Sequence, residues 1–234
     1  MAKILVLDIE TKPSLVYSFQ AYDVNISPEQ VVTPGGLICW AAKWLDEKEV
    51  FFYSEWTHSK TEMLGAIHKL LDEADAVVTY NGDKFDLPIL QGEFVTNGFK
   101  PHAPITSIDA VKTVRKFRFF MSKLAFVGPL LKAGAKMKHE GFDLWKSVMD
   151  GDPKAQAKME KYNVQDVHVL EKLYIRIRPF IHNHPHLGET KTECGACGSS
   201  HVQLRGWRRT KAYKIRRTQC QDCGSWSDGT KVKI

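Results

Sequence analysis

No apolar run in this 234-residue chain approaches the roughly 20 residues that cross a bilayer, which excludes a helical membrane protein. The apolar run at residues 4–9 is too short for a signal-peptide core and carries Asp8. Internal repeats and low-complexity tracts are absent, which excludes solenoids and disordered tails. Cysteine is scarce: there are five, and four of them form two CxxC pairs rather than a disulfide pattern. These absences place the chain in the cytoplasm (the host's, if it is viral), away from membranes. Net charge is also absent from most of the chain. Residues 1–188 carry 23 Lys/Arg and 23 Asp/Glu, whereas residues 189–234 carry ten and four, so the whole excess of +6 sits in the last fifth. A neutral body with a basic tail suggests an anionic partner, most simply nucleic acid. A solvated basic surface kept for solubility is the plainer alternative.

The length allows one substantial core plus a small module. Residues 3–10 read as a strand whose two faces are apolar until Asp8, hence a central one. Pro13 ends it, and residues 14–35 read as irregular. Residues 37–44 and 49–54 read as two strands joined by a polar turn. Residues 60–73 have helical spacing, 75–80 form a short apolar strand, 87–96 a helix and 105–108 a strand. Residues 109–150 read as mostly helical, with breaks at Gly128-Pro129 and Gly141. Asp152-Pro153 starts a helix that runs to about residue 178. Residues 1–178 form the first domain, 179–192 a linker and 193–234 a second module. Strands followed by alternating helices and strands argue for an α/β fold with a mixed sheet flanked by helices.

Asp8 and Glu10 are two apart on a strand and share a face. A divalent cation would relieve their repulsion, since hard cations take oxygen ligands; two solvated acids at an exposed strand end would read the same. Asp86 follows a strand and precedes a helix, where it fits an N-cap as well as a catalytic acid. Asp83 nearby reads as turn chemistry. Tyr162 and Asp166 lie one turn apart on the apolar face of the long helix. A carboxylate buried there needs a metal, a cation or a proton, and a salt bridge would also satisfy it. Brought together, the four acids would make a two-metal site, with Mg²⁺ or Mn²⁺ ions roughly 3.5–4 Å apart.

Leu7-Asp8-Ile9-Glu10-Thr11, Asn81-Gly82-Asp83-Lys84-Phe85-Asp86-Leu87-Pro88 and Tyr162-Asn163-Val164-Gln165-Asp166 resemble, in order and spacing, the three motifs of the DEDD 3′→5′ exonucleases. That family has a ribonuclease H-like fold and includes polymerase proofreading domains. Tyr162 marks the DEDDy branch, since the DEDDh branch would place His where this chain has Lys161, and the second motif is most similar to that of family B polymerases. The resemblance implies that Asp8, Glu10 and Asp166 bind the metal carrying the attacking water. Asp8 would also bind the second metal, Asp86 would act through a metal-bound water, and Tyr162 would orient the nucleophile. Asn81 and Phe85 of the second motif would contact the strand. The implied substrate is single-stranded DNA, with RNA as the alternative and a DNA polymerase as a partner in trans. A binding or polymerase-docking subunit with vestigial activity is a further alternative, against which the complete acid set argues.

Cys194-x-x-Cys197 and Cys220-x-x-Cys223, 22 residues apart, signal a structural tetrahedral Zn²⁺ site in a zinc ribbon. Free or disulfide-bonded cysteines are the alternative. Between the pairs lie Arg205, Trp207, Arg208, Arg209, Lys211, Tyr213, Lys214, Arg216 and Arg217. Cations interleaved with aromatic rings suit single-stranded nucleic acid. A solvated face with Trp207 and Tyr213 as a small core is the plainer reading. The tract Arg115-Lys116-Phe117-Arg118-Phe119-Phe120 fits either a substrate contact or an amphipathic helix.

Overall fold

A computed structural model describes residues 2–234. In chain order the body comprises β1 (Ile4–Lys12), β2 (Leu15–Val16), β3 (Val31–Thr33), β4 (Gly36–Trp44), β5 (Phe51–Ser54), α1 (Lys60–Glu73) and β6 (Ala76–Thr79). It continues with α2 (Asp86–Thr96), β7 (Thr106–Asp109), α3 (Ala110–Lys116), α4 (Leu124–Leu130), α5 (Phe142–Met149) and α6 (Pro153–Ile177). The main sheet has the order β5-β4-β1-β6-β7. β1 pairs antiparallel with β4 and parallel with β6, which pairs parallel with β7, so the sheet is mixed and β1 is central.

Side-chain alternation along β1 divides the core. Leu5, Leu7 and Ile9 pack with Met63, Ile67 and Leu71 of α1 and Leu90 of α2. Ile4 and Val6 pack on the other face with Leu170, Leu173 and Tyr174 of α6 and Val114 of α3. The same parity aims Asp8 and Glu10 at α6. Local chemistry sets the helix starts: the Ser59 side chain accepts from the Glu62 N–H in a reciprocal box, and the Asp152 carboxylate accepts from the Lys154 N–H. On α6, buried Glu171 takes the ammonium of buried Lys43 on both oxygens at 2.6 Å, joining helix to sheet.

Some expected boundaries differ. Gly128-Pro129 lies inside α4 rather than at a break. Pro129 falls in its last turn and forgoes one helical hydrogen bond, and Gly128 is needed because a Cβ there would come within 2.7 Å of the Gly134 carbonyl oxygen. Residues 14–35 carry the β2–β3 pair. α3 stops at Lys116, so residues 117–123 are not the continuation of an amphipathic helix. The segment expected as a linker lies against the body: His184 Nε2 is 2.7 Å from the Tyr174 hydroxyl, and Leu187 joins the α6-side core. Residues 202–233 form an antiparallel sheet of β8 (Val202–Arg209), β9 (Tyr213–Cys220) and β10 (Trp226–Lys233), with β9 central.

Candidate active site

Three elements deliver the acids. Asp8 and Glu10 leave β1 toward α6, and Asp166 leaves α6 one turn after Tyr162, itself buried among Met159, Leu144 and Cys39. Ligand oxygens of Asp8, Glu10 and Asp166 all lie within 4.8 Å of one another. Asp86 joins them differently from a helix cap. Phe85 occupies the N-cap, and Asp86 is the first helical residue, its Oδ1 accepting from the Ile9 N–H at 3.1 Å. The pairing of β1 with β6 ends at Val6, so this N–H has no sheet partner on that side, and the carboxylate takes it. Asp86 is thereby held against the main chain between Asp8 and Glu10.

The turn between β6 and α2 depends on two residues. Asn81 has a left-handed backbone (φ 71°), and its N–H donates to Asp109 Oδ1 at 2.7 Å. Gly82 tolerates no side chain, because a Cβ would approach Thr79 Oγ1 to 2.3 Å. Asp83, expected to serve its own turn, instead accepts from the Ser107 hydroxyl of β7 and the Lys112 ammonium of α3. Phe85 is exposed at the rim beside Asp86.

The acids are electrostatically costly together. Burial, then the charges of Glu10, Asp166 and Asp86, push Asp8 well above the usual carboxylate range. Burial raises Glu10 to about 8 against the pull of Lys136, and raises Asp86 to about 7 against the Ile9 N–H. Burial also raises Asp166, with Lys136 opposing. Tyr162 is pushed up to about 12 by burial and the Asp166 charge. Asp166 Oδ1 is buried without a hydrogen-bond partner. Three clustered carboxylates, one with an orphaned oxygen, form a donor set that fits a hard divalent cation.

Three contributors were not singled out from the sequence. The Lys136 ammonium stands 2.6 Å from Asp166 Oδ2 and 3.0 Å from the Tyr162 hydroxyl. Burial opposes its charge, but Asp166 and Tyr162 hold it above the ordinary lysine range. A cation therefore does meet Asp166, from a loop remote in sequence, yet one lysine serves a site of four acids. Asn163 Nδ2 donates to Asp8 Oδ2 at 2.7 Å. Asp109 accepts from the N–H groups of Asn81 and Val111. Only Asn163 had a visible clue, its place beside Tyr162 in the third motif.

The four paired cysteines converge separately. Cys194 and Cys223 sulfurs lie 3.6 Å apart and Cys197 and Cys220 sulfurs 3.7 Å, with all four free of disulfides. These spacings fit the edges of a zinc–thiolate tetrahedron with bonds of roughly 2.3 Å, and exceed a disulfide's roughly 2.05 Å. Gly198 and Gly224 close the knuckles at φ 72° and 79°, their N–H groups donating to the Cys194 and Cys220 carbonyls. Although burial opposes it, the N–H groups of Cys223 and Asp222 draw the Cys220 thiol down to about 7.

The structure sorts the basic residues of this module. Register places Trp207 beside Arg216 and Arg209 beside Lys214, and Lys214 and Arg216 lie 4.7 and 5.0 Å from the Trp207 ring centre. Arg208 projects from the opposite face, where Asp228 binds it. On that face Arg217 lies over exposed Trp226 and also donates to the Arg205 carbonyl. Tyr213 is exposed and Ile215 and Cys220 are the buried residues of β9, so the small core is not Trp207 plus Tyr213. Arg205, Arg209 and Lys211 are exposed.

A family model described as RNase_H superfamily matches residues 5–178. Among solved structures, the family B DNA polymerase from the hyperthermophilic archaeon Pyrobaculum calidifontis is similar at 17% identity with a TM-score of 0.55, over 77% of this chain. The chain spans only 25% of the length of that polymerase. No curated protein matches the chain.

Proposed function

Because the chain belongs to the RNase_H superfamily, a nuclease-type fold, we propose that it is a metal-dependent 3′→5′ exonuclease that shortens single-stranded DNA to nucleoside 5′-monophosphates. One observation carries this reading: Asp8, Glu10 and Asp166 gather within 4.8 Å, with Asp86 tied to the strand between the first two. Asp8, Glu10 and Asp166 would hold the divalent ions, and Asp86 would complete their surroundings. Two Mg²⁺ or Mn²⁺ ions bound there would activate water and stabilise the leaving oxygen. Tyr162 would orient the attacking water through its hydroxyl. Lys136 would keep Asp166 and Tyr162 in register, and Asn163 would do the same for Asp8. Phe85 and Asn81 at the rim would receive the terminal nucleotides.

Residues 1–178 would carry the chemistry, with 193–234 as a zinc ribbon that adds affinity for the strand through Trp207, Arg209, Lys214 and Arg216. A DNA polymerase acting on the same strand is the partner this reading suggests, and the cytoplasm the compartment. Among the described residues no helix is long and apolar enough to cross a membrane.

The test uses 5′-end-labelled single-stranded DNA and RNA with Mg²⁺, Mn²⁺ or EDTA. Stepwise shortening of DNA that needs metal is expected. Faster shortening of RNA would move the assignment to an exoribonuclease, and full activity in EDTA would overturn the metal-dependent reading.

A further inference from the structure

Residues 110–139 contain eight Lys/Arg and no Asp/Glu, so the neutrality of the body conceals a cationic tract. Two of the eight are engaged, Lys112 with Asp83 and Lys136 with Asp166. Arg115, Lys116, Arg118 and Lys123 are exposed, and among the described residues none has an acidic partner. The strap at 117–123 is pinned rather than loose. Phe117 and Phe119 turn inward against the α6-side core, while Arg118, at φ 54°, and Phe120, 86% exposed, turn outward. One end is fixed where the Tyr80 hydroxyl donates to the Ser122 carbonyl at 2.5 Å, immediately before the Asn81 turn of the candidate site. The other end is fixed where Phe117 meets Phe180 edge-on at 5.7 Å, where the chain leaves α6 for the zinc module.

We propose that residues 115–123 form a second strand-binding element on the body, over which single-stranded nucleic acid runs between the metal-site acids and the ribbon. The inference rests on the exonuclease reading for its ligand. Unpaired cations at 115, 116, 118 and 123 meet phosphates, and the exposed ring of Phe120 offers a stacking surface that accepts any base. The packing of Phe117 and Phe119 holds these groups in place before a strand arrives, which lowers the ordering cost of binding. The strap determines how strongly long strands are preferred over short ones, since a dinucleotide fills only the site itself.

The experiment compares the full chain with the variant Arg115→Glu/Arg118→Glu/Lys123→Glu and with Phe120→Ala, all exposed positions. The ratio of kcat/KM for a long oligonucleotide to that for a dinucleotide is expected to fall about tenfold or more in the triple variant. Binding measured in an Asp8→Ala background, with zinc retained and no added Mg²⁺ or Mn²⁺, should lose roughly 2 from its log K–log salt slope in the triple variant, at about 0.7 per phosphate contact. A photoreactive p-benzoylphenylalanine replacing Phe120 should crosslink to an internal nucleotide rather than to the 3′ end. Unchanged length preference and salt slope without crosslinking, while the wild-type chain cleaves, would overturn the strap and leave the exonuclease reading standing. A wild-type chain that cleaves nothing, yet crosslinks and loses its salt slope in the triple variant, would uphold the strap and sink the exonuclease reading.

Discussion

The body and the ribbon are held together by opposite means. The body buries apolar side chains on both faces of β1, with α1 and α2 on one side and α3, α4 and α6 on the other. The ribbon buries little beyond Ile215, Ala196 and two of its cysteines, and its strands β8 and β10 are largely exposed. A large core tolerates a cluster of buried and half-buried carboxylates that works against folding. A module without a core tolerates no such cost and depends on its four sulfurs. Metal would therefore act in opposite ways: in the ribbon it would be structural, and in the body it would serve chemistry that the fold survives without.

Removing zinc tests that contrast with the largest effect. A strong chelator should unfold the ribbon, at a cost on the order of 10 kcal/mol, while the body's melting transition persists. Circular dichroism melts with and without chelator check this, and loss of both transitions together would break the comparison. Next in size, Asp8→Ala or Asp166→Ala should lower cleavage on the order of 10³-fold or more, several kcal/mol of lost charge stabilisation, with the fold intact. Wild-type rates in either variant would remove the acids from the chemistry.

Tyr162→Phe should cost ~10–10³-fold in turnover, the scale of one catalytic hydrogen bond, and leave metal affinity nearly unchanged. The smallest effect is on stability. Glu10 titrates near its ordinary 4.5 when unfolded and near about 8 when folded. Asp86 moves in the same sense, from 3.8 to about 7. The folded state therefore retains protons that the unfolded state has released, and stability falls as pH rises from about 4 to about 8. The body's Tm in chelator should decline across that window. Glu10→Gln should flatten the decline, and Mg²⁺ or Mn²⁺ should restore stability at the alkaline end. A Tm that rises toward pH 8 in chelator would show that the carboxylates are not strained without metal.

Much of this was legible in the sequence because it depends on local pattern. The run apolar on both faces along 3–10 placed β1 in the centre, and the parity of Asp8 and Glu10 aimed both at one face. Asp152-Pro153 marked the start of α6, and the CxxC spacing marked the ribbon. What was illegible arises from long-range packing. Lys136 reaches Asp166 from a loop with no periodic signal, and Lys43 finds Glu171 across 128 positions of chain. Asp86 fitted a cap locally and took the unpaired Ile9 N–H instead, which only the end of the β1–β6 ladder explains. The basic residues between the cysteines read as one set, whereas strand pairing divides them between two faces and Asp228 engages Arg208.

The central claim is that the body's acids exist to hold divalent metal, and manganese binding tests it most directly. Electron paramagnetic resonance of Mn²⁺ titrated into the zinc-loaded protein sees manganese alone, so the ribbon's ion does not interfere. Saturable binding that tightens as pH rises toward 8, and that Asp8→Ala and Asp166→Ala each abolish, is the predicted result, because ligation requires deprotonated carboxylates. Binding of wild-type strength in both variants would contradict the account.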